Sequence, residues 1–120
     1  MSTISVEISN FFLAMQAGRP GAEALRGMFA EDATYEEPFT GEVRRHEGRD
    51  AIIAAMALGW EMPMEDTRIE VRHADTKGGE VQIGWTCYSP SIPGGQGQGL
   101  NRFQFRDGLI ASLITTLDDA

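Results

Sequence analysis

A chain of 120 residues with 42% apolar and 23% charged side chains has the makeup of one globular domain around one core, which argues against disorder. Its net charge of −8, from 18 acidic against 10 basic residues, repels a nucleic-acid backbone, and no apolar run approaches the length of a membrane span. The single cysteine, Cys87, leaves no internal disulfide, and the polar stretch Met1–Asn10 lacks a basic-then-apolar leader pattern, so a soluble cytoplasmic protein is expected.

In chain order, the first helix is predicted over about Thr3–Ala17, where Ile4, Ile8, Phe11, Phe12 and Met15 recur at helical spacing and Gly18 ends the run. Pro20 suits the start of a second helix, with Leu25, Met28 and Phe29 as its buried stripe. A strand follows over Ala33–Glu37 and is closed by Pro38, which cannot donate to a ladder. Gly41–Gly48 is charged and reads as irregular. Its basic residues Arg44, Arg45 and His46, with Arg49 just beyond, are interleaved with Glu42, Glu47 and Asp50 and read as a solvated loop and helix start. The third helix is expected over Arg49–Trp60, with Ile52, Ile53, Met56 and Trp60 on its apolar side, Asp50 in its first turn and Pro63 as the break.

The second half alternates like strands. Thr67–Ala74 sets Ile69 and Val71 against Arg68, Glu70 and Arg72, and Lys77-Gly78-Gly79 is a hairpin turn. Glu80–Ser89 places Val81, Ile83, Trp85 and Cys87 on one face. Ser91–Gly99 is rich in glycine and reads as a mobile loop, a lid or a plain crossover. It is no phosphate loop, since no Gly-Lys-Ser/Thr follows. Gly99–Arg106 and Leu109–Leu117 are strands joined at Asp107-Gly108. The fold class that follows is α+β. A curved mixed, mostly antiparallel sheet carries the three helices of the N-terminal half on its concave side. Residues 1–120 form a single cone-shaped domain able to enclose a tapered pocket.

Strand parity makes two polar residues conspicuous. Glu37 shares a face with Ala33, Tyr35 and Phe39, and Asn101 shares one with Phe103 and Phe105. A carboxylate on an apolar face is costly unless something stabilises it or uses it. Desolvation would suit Glu37 to act as a base near neutral pH, whereas a bond to Arg44 or Arg45 would make it structural. The Asn101 amide can donate to a developing oxyanion or be satisfied internally. Tyr35, Thr115, Thr116 or a water could serve as a second donor. Phe11, Met15, Tyr35, Met56, Trp60, Trp85, Phe103 and Leu117 are the candidate walls of a pocket for a small hydrophobic molecule. His46 and His73 lack chelating spacing and an evident inward acid, so neither a metal nor another cofactor is expected, and Cys87 reads as a small core residue.

Several segments together resemble the nuclear transport factor 2-like superfamily, in its SnoaL-like and ketosteroid-isomerase-like branch. They are Gln16-Ala17-Gly18, Met28-Phe29-Ala30-Glu31-Asp32-Ala33, Tyr35-Glu36-Glu37-Pro38, Gly48-Arg49-Asp50-Ala51-Ile52, and Asn101-Arg102-Phe103-Gln104-Phe105 before Asp107-Gly108. The resemblance implies an isomerase or cyclase chemistry in which Glu37 removes a proton beside a carbonyl. Asn101 stands where the isomerases carry a protonated aspartate of the oxyanion hole. Phe11 stands where they carry a tyrosine, so one donor is missing. The resemblance also implies a homodimer paired through the open sheet face, where Arg68, Arg72, Arg102 and Arg106 point outward. A non-catalytic binding module or a dimerisation domain is the alternative.

Overall fold

The computed structural model describes residues 6–38, 41–59, 68–90 and 92–117. Helix α1 (Val6–Ala17) ends at Gly18, whose φ of 71° is left-handed backbone that glycine adopts without strain. Pro20 sits in a short 3-10 turn, Arg19–Gly21, rather than opening a long helix, and α2 is the single stretch Ala22–Met28. Strand β1 (Phe29–Glu37) begins directly after α2, four residues earlier than the alternation suggests. Helix α3 spans Arg49–Gly59. Trp60, Phe39 and the first residues of the expected first helix lie outside the described residues.

Four strands fill the second half: β3 (Arg68–Lys77), β4 (Glu80–Tyr88), β5 (Gln96–Arg106) and β6 (Leu109–Leu117). The β3–β4 turn uses Gly78 and Gly79, and the β5–β6 turn uses Asp107 and Gly108, all at positive φ, the geometry that matches strand twist in a two-residue hairpin. Strand β5 starts at Gln96, so the expected Ser91–Gly99 loop is shorter than its glycine content implied. Its core is a 3-10 turn at Pro93–Gly95, pinned to β4 by the Ser89 N–H donating to the Gly95 carbonyl at 3.0 Å.

Gly41–Gly48 holds the main departure. Arg44–Glu47 is not loop but a strand, β2, antiparallel to β1 with Glu37 opposite Arg44 and Tyr35 opposite His46. A strand with no apolar residue gives no hydrophobic alternation to read; its own alternation is polar, with Arg44 and His46 turned to the inner face and Arg45 and Glu47 to water. The sheet order is β2-β1-β6-β5-β4-β3, mixed because β1 runs parallel to β6 and antiparallel elsewhere. Register shifts between Val71 and His73 and between Gln104 and Phe105 mark irregularities that bend it. The core packs Phe11 edge-on against Phe12, Phe29 and Phe103, at ring-centroid distances of 5.3, 6.4 and 5.2 Å.

Candidate functional site

Between the concave sheet face and helices α1 and α3 lies a cavity of about 460 Å³, within the range of small-molecule sites. Of the walls expected from sequence, Phe11, Met15, Tyr35, Met56, Trp85 and Leu117 line it, as does Asn101. Phe103 does not. It is fully buried behind the cavity, where the rings of Phe11 and Phe12 cover it and close the narrow end. Phe12, Ile69, Cys87, Ile92, Gly97, Leu113 and Thr115 also line the cavity. Parity puts Leu113 and Thr115 inward with Leu117, and it puts Ile69 and Cys87 on their inward faces; Ile92, in a loop, leaves no such signal. Exposure grades along the cavity, from Phe11 at 1% to Leu117 at 46%. Burial pushes the Cys87 thiol up from its ordinary value, as suits a sulfur in an apolar wall.

One wall carries the polar groups. Asn101 lies opposite Thr115 in the β5–β6 ladder, and its Oδ1 accepts from the Thr115 hydroxyl at 2.8 Å and from the Trp85 indole N–H at 3.0 Å. The Tyr35 ring lines the same cavity beside Thr115. Burial, then the nearby Glu37 charge, drive the Tyr35 phenol far above its ordinary value, so it stays neutral. Thr115, Asn101 and Trp85 thus form one buried hydrogen-bonded cluster across β6, β5 and β4, centred on the Asn101 amide oxygen. Of the second donors that the sequence left open, Thr115 gives its proton to Asn101 itself.

Glu37 points inward as parity requires and is 2% exposed. It is level with Thr115, since β1 and β6 pair Tyr35 with Leu113 and Glu36 with Ile114. Its Oε2 accepts from Arg44, at 2.8 Å from Nε and 2.6 Å from Nη2, and lies 3.0 Å from His46 Nε2. The His46 side chain is mostly buried, its ring 5.8 Å from that of Tyr35. His46 therefore does have an inward acid partner, contrary to the sequence reading, because Glu37 and His46 meet only through the β1–β2 pairing that hydrophobic periodicity does not reveal. Glu37 is not itself in the cavity lining. Among the described residues no group of three or more His, Cys, Asp or Glu side chains is placed to hold a metal ion, and no helix is long and apolar enough to cross a membrane.

Three helices against a curved mixed sheet, with an apolar hollow between them, define a nuclear transport factor 2-like fold. Residues 8–113 match the SnoaL-like domain, and the chain belongs to that family. Among solved structures it is similar to a protein from Sinorhizobium meliloti provisionally assigned as a polyketide cyclase, with 21% identity over 94% of this chain and 95% of that one and a TM-score of 0.77. A protein from Kribbella flavida provisionally assigned as a ketosteroid isomerase gives 19% identity over 95% and 76% and a TM-score of 0.73. A de novo designed protein with a curved β-sheet superposes nearly as well, with 15% identity over 93% and 82% and a TM-score of 0.72. At such identities the likeness is one of fold, which hosts many activities. No curated protein matches the chain in sequence.

Proposed function

We propose that this protein binds a small, largely apolar molecule in the cavity, with a hydrogen-bond acceptor of that molecule placed against the amide of Asn101. The observation that carries the reading is the cavity itself: about 460 Å³ of space walled by apolar side chains, with its polar groups gathered on one wall. A filled core would leave no such space, because protein interiors pack to crystal density. Polycyclic ketones, aliphatic ketones and planar phenols, titrated in a thermal-shift assay, test it. Binding to the folded state alone raises the melting temperature by mass action. No shift with any of the three classes would count against the reading.

The isomerase and cyclase assignments of the structural relatives suggest a second reading, in which the bound carbonyl compound is also turned over; it requires Glu37, which is held by Arg44 and His46 outside the cavity lining, to be uncovered to the ligand. Glu37 would take a proton from the carbon beside the carbonyl, and the Asn101 amide would donate to the enolate oxygen, a contact worth roughly 3 kcal/mol in enzymes where such donors have been removed. Glu37→Gln separates the two readings. Turnover would fall by roughly 100-fold or more with ligand binding retained if Glu37 is the base, whereas a plain binding site has no turnover to lose.

A further inference from the structure

The Asn101 amide can present either its N–H₂ or its oxygen to the cavity, and the identity of its neighbours decides which. Thr115 cannot decide, because a hydroxyl donates to an amide oxygen or accepts from an amide nitrogen equally well. Trp85 can. Its indole N–H only donates, so the group 3.0 Å away must be the amide oxygen. With Oδ1 held by Trp85 and Thr115, Nδ2 faces away from both. No acceptor for it is found among the described residues, yet no buried side-chain polar atom among them lacks a partner, so Nδ2 keeps access to the cavity that Asn101 lines.

Trp85 reaches Asn101 because of Gly99. Gly99 is the direct cross-strand partner of Trp85, and a Cβ built on it would fall 2.4 Å from Cζ2 and 2.9 Å from Cε2 of the indole, and 2.7 Å from the Thr116 carbonyl oxygen. The ring therefore covers the bare α-carbon of Gly99, and its N–H reaches Asn101, two residues on along β5. Any side chain at position 99 would lift the ring from this seat.

We infer that Trp85, seated on Gly99, is a positioning residue that turns the Asn101 amide so that its N–H₂ group, and not its oxygen, is offered to the cavity. The inference rests on the binding reading above and adds to it a rule of selection. The site favours neutral molecules that present an acceptor, such as a ketone or an ester. Among the described residues no cationic side chain lines the cavity, so the site discriminates against carboxylates.

Two naphthalenes of matched shape test this, 2-acetylnaphthalene with a carbonyl and 2-isopropylnaphthalene without one, titrated by calorimetry into wild type, Trp85→Phe and Gly99→Ala. Wild type is expected to prefer the ketone by roughly threefold to tenfold, the worth of one net hydrogen bond. Trp85→Phe keeps the apolar wall but frees the amide to turn, so the preference should fall toward unity while affinity for the hydrocarbon is retained. Gly99→Ala should lower the preference in the same direction. A purely structural role would weaken both probes alike and leave their ratio unchanged. A ratio preserved in Trp85→Phe overturns the positioning role with the pocket intact, and so does equal binding of both probes to wild type. Binding of neither probe by wild type overturns the pocket reading and this inference with it. Should Trp85→Phe not fold, the wild-type protein still decides through the Trp85 indole N–H resonance. A low-field, exchange-protected signal that moves in Asn101→Leu is expected, and a free, rapidly exchanging one overturns the proposal.

Discussion

Removing the guanidinium of Arg44 should expose how much of the fold hangs on one buried carboxylate. Arg44→Leu leaves Glu37, 2% exposed, with His46 as its remaining partner of those described above. Stripping one partner from a fully buried ion pair costs about 3–5 kcal/mol, whereas an exposed pair is worth at most about 1 kcal/mol. Arg44 is intermediate: its side chain is 36% exposed while that of Glu37 is 3% exposed, so water can follow the leucine in and solvate part of the carboxylate. A loss of about 2 kcal/mol follows, which lowers a urea midpoint by about 1 M for a domain of this size. The same substitution in a Glu37→Gln background should cost about 0.5 kcal/mol, since a neutral amide needs no counter-charge, leaving a coupling energy of about 1.5 kcal/mol in the double-mutant cycle. Equal losses in both backgrounds would refute the reasoning and make Arg44 a packing residue.

Two further outcomes follow from burial and close approach. Burial first, and the Glu37 charge second, raise the Tyr35 phenol above its ordinary value, so the folded state holds that proton more tightly than the unfolded chain does. The stability this gives is fully present below the unfolded value near pH 10 and is lost as pH rises above it. Denaturant midpoints from pH 8 to 11 should therefore fall more steeply for wild type than for Tyr35→Phe, and parallel curves would show that the phenol is not the titrating group. Gly21→Ala should cost about 2 kcal/mol, because the new Cβ would sit 2.2 Å from the Ala14 carbonyl oxygen, which is backbone and cannot swing aside. Gly84→Ala, whose Cβ would first meet the half-exposed His73 ring, a side chain able to move, serves as the milder control in the same melts.

What the sequence made legible was the assignment of side chains to faces. Alternation in β4 and the Asp107-Gly108 turn specify strand and hairpin by local chemistry, and the inward aim of Glu37 and Asn101 follows from parity alone. Strand β2 stayed hidden because its inward residues are Arg44 and His46, and the reason for them to turn inward, Glu37, belongs to another strand. Phe103 shows the same limit. Its face was right, but whether an inward residue borders a void or is packed over depends on what α1 sets opposite, here Phe11 and Phe12. The orientation of the Asn101 amide depends likewise on Trp85, two strand positions away on the neighbouring strand.

The hollow itself is written along β5. Its inward positions run Gly97, Gly99, Asn101, Phe103, so the side-chain volume it contributes is nil at the open end and large at the closed end. The two glycines have different tasks. Gly99 is filled from across the ladder by the Trp85 ring, whereas a Cβ at Gly97 would meet only Ile92 methyl carbons at 3.9 Å, ordinary contact. Gly97 is thus bare where the fold does not require it, and a side chain there would project into the cavity. Gly97→Leu should leave the fold at least as stable, because glycine within a strand is entropically costly and the backbone there is not at positive φ. It should also abolish binding of 2-acetylnaphthalene and similar probes by occupying the space they need. If the variant were instead strongly destabilised, the space beside Gly97 would be part of a packed core. If it bound the probes as wild type does, the ligand would have to sit elsewhere than in this cavity.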